Sequence, residues 1–168
     1  MSADATIDLT KLDFSNPIAG IDQIRSVNPH RFEFEMITAI VLLDPVKKHI
    51  VGYKDVRPDE FWVRGHMPGY PLFPGVLMCE AAAQLCCYYN VTQKVSDPGV
   101  LMGLGGIEEA RFLRPVRPGE RLVIVGVGEK VHRRMTKFRA TGYVGTEKAF
   151  EALVIGVPIG KLEELRCA

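Results

Sequence analysis

The segment VLMCEAAAQLCCYY, residues 76–89, constrains this chain more than any other feature. It contains no Gly or Pro, holds three consecutive alanines and is rich in strong helix formers, so it reads as a helix. Its apolar residues lie around most of the circumference and not along one stripe. Such a helix has to be buried on nearly every side, so the rest of the chain must wrap it. Asn90 is the expected C-terminal stop.

The flanking sequence has the pattern of a wrapper. FEFEMITAIVLL, residues 32–43, alternates and then becomes continuously apolar, which predicts a strand that ends fully buried. Asp44-Pro45 ends it, and residues 49–56 read as a second strand returning across a turn at residues 45–48. From residue 100 to 158 the chain is strand-like in the pieces VLMGL, ARFLRPV, RLVIVGVGEKVHRR, TKFRATGYVG and KAFEALVIGVP, with turns near Arg133-Arg134 and Gly145-Thr146. One buried helix covered by five or six antiparallel strands is an α+β architecture. The 168 residues suffice for one domain, expected over residues 21–168 after a loosely ordered leader at 1–20. No apolar run reaches about 18 residues without a charge, and the amino terminus lacks the basic and apolar regions of a secretory signal. Of four cysteines, Cys79, Cys86 and Cys87 fall in the helix. Cys79 and Cys86 lie two turns apart, too far for a disulfide, so a reducing cytoplasmic setting fits best.

Two polar residues interrupt the apolar helix, Glu80 and Gln84, four apart and therefore on one face. A carboxyl group in that setting must be partnered or have a function. Just before the helix, Arg64-Gly65-His66-Met67-Pro68 leads into Phe73-Pro74-Gly75, within a stretch dense in Gly and Pro. Such a backbone holds a histidine in one orientation, as a general base requires. No Ser, Thr, Asp or Asn stands where a side-chain cap would sit, so the first N–H groups near Gly75 are free for a ligand oxyanion. Base, acid and oxyanion donor are thus offered between His66 and Glu80.

GHMPGYPLFPGVLMCEAAAQ, residues 65–84, closely resembles the signature of the (3R)-hydroxyacyl-[acyl-carrier-protein] dehydratases of the FabZ type, with Met67 in place of the family's Phe. The resemblance extends to PHR at residues 29–31 and ARFLRPVRPGERL at residues 110–122, and covers residues 21–158. It implies a hot-dog fold, a homodimer with the possibility of a trimer of dimers, an acyl carrier protein as partner, and no metal or organic cofactor. By matching position, His66 is the base and Glu80 the acid, contributed by different subunits. Gly75 supplies the backbone amide that polarises the thioester carbonyl, and Gln84 supports the glutamate. Glu at position 80 favours the plain dehydratase over the dehydratase-isomerase group, which usually has Asp there. The implied reaction removes water from a 3-hydroxyacyl thioester to give a trans-2-enoyl thioester in fatty-acid biosynthesis. A hot-dog hydratase or thioesterase acting on coenzyme A thioesters, and a non-catalytic acyl-binding module, are the alternatives. Met78, Leu85, Cys86 and Tyr88 could line an acyl tunnel, and Gly103 stands where the family often has a gating tyrosine.

The chain carries 21 Lys and Arg against 20 Asp and Glu, a formal net charge of +1, which argues against a partner bound through bulk charge. The charges are unevenly placed, because residues 111–139 hold nine basic and two acidic groups. Arg111, Arg114, Arg133, Arg134 and Lys137 are therefore expected to form a patch for the acidic carrier and its phosphopantetheine phosphate. Aromatic interleaving is too sparse for a single-stranded nucleic-acid surface. Gly126-Val127-Gly128 is not followed by a helix, no serine-hydrolase elbow or P-loop occurs, and the cysteines lack zinc spacing. His30, His49 and His132 read as surface or structural residues.

Overall fold

Runs of β-branched and apolar residues form the first two strands, β1 (Ala39–Asp44) and β2 (His49–Asp55), joined by a turn in which the Asp44 carboxylate accepts from the N–H groups of Val46 and Lys47. The computed structural model describes residues 7–161. A short helix α1 (Ile21–Val27) precedes these strands, and α2 (Gly75–Thr92) follows them. The remaining strands are β3 (Val100–Phe112), β4 (Arg121–His132), β5 (Met135–Val144) and β6 (Glu147–Lys161). All pairings are antiparallel, in the order β1-β2-β4-β5-β6-β3. With the sheet around one long helix, this is the α+β hot-dog arrangement.

Eleven of the 18 residues of α2 are buried, as the all-round apolar character requires. Leu85 of the helix joins Ile40, Ile50, Leu122, Ile124, Phe138 and Phe150 of the sheet in the main core. Burying each such side chain is worth about 1.5–3 kcal/mol. The run LVIV in β4 is apolar without alternation because both faces are covered. Leu122 and Ile124 face the helix core, while Val123 and Val125 join Val51 and Tyr53 in a second core on the outer face. Ile7, Leu9, Leu12 and Phe14 close that outer core, and Ala19 bridges to Ile40. Residues 7–20 of the leader expected to be loosely ordered are thus packed against the sheet, and residues 1–6 lie outside the described residues, as does Cys167.

Three expectations of local structure are corrected. The strand expected over residues 32–43 starts only at Ala39, and Phe32–Phe34 form a 3-10 turn with Phe32 at a φ of 59°. The reason is tertiary. The buried Gln84 amide takes the Phe34 carbonyl and the Met36 N–H, the groups that a strand ladder would have used. Asn90 does not end the helix, which continues to Thr92, where the hydroxyl donates back to the Tyr88 carbonyl. Asn90 is 3% exposed, and its side chain is directed to Thr136. VLMGL and ARFLRPV are not separate strands, because β3 joins them through register shifts at Leu101/Met102, Leu104/Gly106 and Glu108/Arg111.

Among the described residues β3 pairs with β6 on one side only, and its other edge is an unpaired row of backbone groups beside the exposed Leu104, Ile107 and Phe112. No helix among the described residues is long and apolar enough to cross a membrane.

Candidate active site

His66 sits in the Gly- and Pro-rich loop between β2 and α2. Its N–H and that of Gly65 both donate to the Trp62 carbonyl, and Leu72 N–H donates to the His66 carbonyl. Trp62 in turn lies against Phe73, ring centroids 5.4 Å apart, which anchors both ends of the loop. The imidazole Nδ1 lies 2.8 Å from the Leu72 carbonyl oxygen. A carbonyl can only accept, so the proton is assigned to Nδ1 and Nε2 keeps its lone pair.

Pro74 offers no side-chain cap to α2; its carbonyl accepts from the N–H groups of Leu77 and Met78, and those of Gly75 and Val76 have no acceptor among the described residues at the positive end of the helix dipole. Gly75 is the first helical residue. A Cβ there would meet the Phe112 ring at 2.8 Å, so glycine is what lets the end of β3 lie against the helix tip.

Glu80 lies on the next turn, half-buried, and Gln84 Nε2 donates to its Oε1 at 2.8 Å. The Gln84 side chain is fully engaged. Its Nε2 also donates to the Phe34 carbonyl at 2.7 Å, and its Oε1 accepts from Met36 N–H at 3.0 Å. Those two backbone partners fix the amide orientation and hence the oxygen of Glu80 that is engaged. His30 Nε2 stands 3.4 Å from the same Oε1. Burial pushes the His30 imidazole below its ordinary pKa and the Arg31 guanidinium lowers it further, while Glu80 opposes both. Sequence reasoning assigns His30 a surface or structural place, and its only sign of a site role is its position within the PHR stretch.

A cleft of about 210 Å³ starts at Glu80 and His30 and runs between α2, β3, β5 and β6. From the helix it is lined by Glu80, Ala83, Cys86, Cys87 and Asn90. Of the four helix residues expected along an acyl tunnel, only Cys86 lines it; Met78, Leu85 and Tyr88 are buried in the core. Burial pushes the Cys87 thiol up to about 11 and the Cys86 thiol further still, so both stay neutral wall atoms. Gly103 does line the cleft, and a Cβ there would meet Ile159 at 2.8 Å. Of the groups assigned to the site, Glu80 lines the cleft, whereas the chain's own His66, Gly75 and Gln84 do not, although Gln84 touches Glu80 from behind. A wider hollow of about 760 Å³ beside α1 is lined by Arg25, Glu35, Lys54 and Glu60 among others and holds neither His66 nor Glu80.

The basic residues do not form one patch. Arg111 pairs with Glu151 at 3.4 Å, and Arg114 sits between Glu120 and Glu147 at 2.7 Å from each. Lys137 pairs with Glu108 at 3.3 Å, and Arg133 lies 3.6 Å from Asp97. Arg111 is opposite Glu151 in the sheet, whereas Thr136, next to the Arg133-Arg134 turn, is opposite Gly156. Those five residues of β6 put about 17 Å between the two groups. Arg134 has no ion pair among the described residues. Most of the excess positive charge is matched by acidic groups that are remote in sequence and adjacent in space.

The FabA-like domain family matches residues 28–153. The chain is 39% identical to the 3-hydroxyacyl-[acyl-carrier-protein] dehydratase FabZ of Pelotomaculum thermopropionicum over 132 residues, 79% of this chain and 93% of that protein. It is 38% identical to the FabZ of Clostridioides difficile over 127 residues, 76% and 88% of the two chains. Among solved structures, the dehydratase heterocomplex ApeI:P from Xenorhabdus doucetiae superposes with a TM-score of 0.69 at 15% identity, covering 86% of this chain and 95% of that one. A mutant of the fluoroacetyl-CoA-specific thioesterase FlK superposes with a TM-score of 0.61 at 15% identity, covering 72% and 91%. At that identity these two matches speak for the fold alone.

Proposed function

We propose, from the premise that this chain belongs to the FabA-like family, that it is a 3-hydroxyacyl-[acyl-carrier-protein] dehydratase of fatty-acid biosynthesis. The observation that carries this is Glu80, a carboxyl group with one oxygen held by Gln84, at the head of a mostly apolar cleft and just past an uncapped helix end. Nε2 of His66 removes the α-proton of the 3-hydroxyacyl thioester. The carbonyl oxygen gains negative charge and is stabilised by the Gly75 N–H at the helix tip. With Oε1 engaged, the Glu80 carboxylic acid delivers its proton from Oε2 to the 3-hydroxyl group as the C–O bond breaks. Water and a trans-2-enoyl thioester leave, and a proton passes from His66 back to Glu80 through solvent. The thioester itself acidifies the α-carbon, so the chain needs no cofactor for this step.

The working unit is a homodimer in which His66 of one copy meets Glu80 of another. Two features support it: His66 lies outside its own chain's cleft, and β3 presents a free edge with exposed apolar residues beside Gly103 and Leu104 of that cleft. An acidic carrier would be drawn to Arg134 of the β4–β5 turn, which has no ion pair among the described residues, more than to Arg111, Arg114, Arg133 or Lys137, which are engaged by carboxylates. The free, buried thiols of Cys79, Cys86 and Cys87 support a reducing, cytoplasmic setting.

The test is turnover of 3-hydroxyacyl thioesters on carrier protein and on coenzyme A, with crotonyl thioester read in the hydration direction. Wild type should interconvert hydroxyacyl and enoyl forms, and His66→Ala and Glu80→Gln should each lose at least about a hundredfold in kcat. Hydrolysis of the thioester in place of dehydration, or near-normal turnover by either variant, would sink this assignment.

A further inference from the structure

The cleft that begins at Glu80 also contains polar atoms for which dehydration has no use. Asn90 and Thr136 line it at 3% and 1% exposure, and Asn90 Nδ2 donates to Thr136 Oγ1 at 3.3 Å. Asn90 Oδ1 is buried and has no hydrogen-bond partner among the described residues. An unmade hydrogen bond of that kind costs about 1–3 kcal/mol, and Gln84, the other buried polar side chain of the helix, avoids it with three bonds. Asn90 caps nothing, because α2 continues past it to Thr92. Space beside the pair is kept open by Gly156, where a Cβ would meet Thr136 Oγ1 at 2.6 Å.

The position of the pair says what would use it. Glu80, Ala83, Cys87 and Asn90 lie along one helix face and all line the cleft. Asn90 is ten residues from Glu80, about 15 Å along the axis, which roughly a dozen extended chain carbons would cover. Between the two ends the wall is apolar, with Ala83, Cys86, Met102 and Val154. The charged residue and the titratable imidazole of the cleft, Glu80 and His30, are both at the other end, so nothing near Asn90 would neutralise an ionised group. A hydroxyl group is neutral and can donate to Oδ1.

We propose that the far end of this cleft binds a hydroxyl group carried by the acyl chain, so that the enzyme is selective for 3-hydroxyacyl thioesters with a second hydroxyl about a dozen carbons along over plain alkyl chains of the same length. This rests on the dehydratase reading and adds the substrate class.

The experiment compares 3,15-dihydroxypentadecanoyl with 3-hydroxypentadecanoyl thioesters, and neighbouring lengths, on the full-length protein. Wild type should favour the dihydroxy chain in kcat/KM by about tenfold at the best-fitting length. Asn90→Leu should remove or invert that ratio, and the ratio is insensitive to any general loss of active protein. Asn90→Ala provides the same readout should Asn90→Leu fail to fold. Equal or greater wild-type preference for the plain chain at every length overturns the proposal, and would mean that water occupies the niche. 3-Hydroxybutyryl thioester is too short to reach Asn90. Absence of its dehydration would overturn the dehydratase reading itself, in which case the affinity ratio of the two long-chain thioesters still decides whether the niche selects a hydroxyl group.

Discussion

Gln84 is the residue on which most of the site's geometry converges. Its amide joins the helix to the Phe34 and Met36 backbone and holds one Glu80 oxygen, all at 2% exposure. Gln84→Leu would leave a carbonyl and an N–H without their partner, each worth about 1–3 kcal/mol when buried. We expect a loss of roughly 2–5 kcal/mol in urea unfolding, together with reduced kcat. His30 is expected to mark the pH dependence of stability. Its folded pKa lies below the unfolded value, so below pH 6.5 the unfolded chain takes up the proton more readily than the folded one. Stability should therefore fall as pH drops from about 6.5 toward the lowered folded value. His30→Gln should flatten that slope; an unchanged slope would show that another group causes it. His66, Glu80, Gly75 and Gln84 are legible as candidates because their residue types and spacing are local facts. His30 is not, because its meeting with Glu80 depends on how a segment 50 residues away is folded over the helix.

At the level of elements, α2 is legible because all-round apolarity is a property of one continuous segment. Its seat on the sheet is not. Gly52 of β2 lies against the helix, and a Cβ there would lie 2.8 Å from Leu85 Cδ1 and 2.9 Å from the Ala39 carbonyl oxygen. That oxygen belongs to the β1–β2 ladder and cannot withdraw. Gly52→Ala should cost about 1–3 kcal/mol by overpacking. Gly65→Ala, where a Cβ meets nothing within 4 Å, should change stability by under about 0.5 kcal/mol. Comparable urea midpoints for the two variants would contradict this packing account. Residues 32–38 depart from the strand expected of them for the same kind of reason, since alternation in FEFE is a local signal and the claim of Gln84 on that backbone is a distant one.

Across the whole molecule, the separation of His66 from the Glu80 cleft is the feature with the largest functional consequence. A two-fold dimer would make two sites, each taking one residue from each copy. Mixing His66→Ala with Glu80→Gln subunits and allowing exchange should restore about a quarter of wild-type activity, since half the dimers would hold one intact site. No recovery after verified exchange would mean that each chain carries its own complete site. The amino-acid sequence by itself determined the buried helix, the antiparallel wrapper and the set of groups able to do acid–base chemistry, because these depend on residue type and short-range periodicity. Only the tertiary structure decided that Asn90 faces a cleft, that His30 reaches Glu80, and that most of the basic residues are already paired. Those facts depend on which remote side chains share a few ångströms of space, and hydrogen bonds and ion pairs form at that distance whatever the separation along the chain.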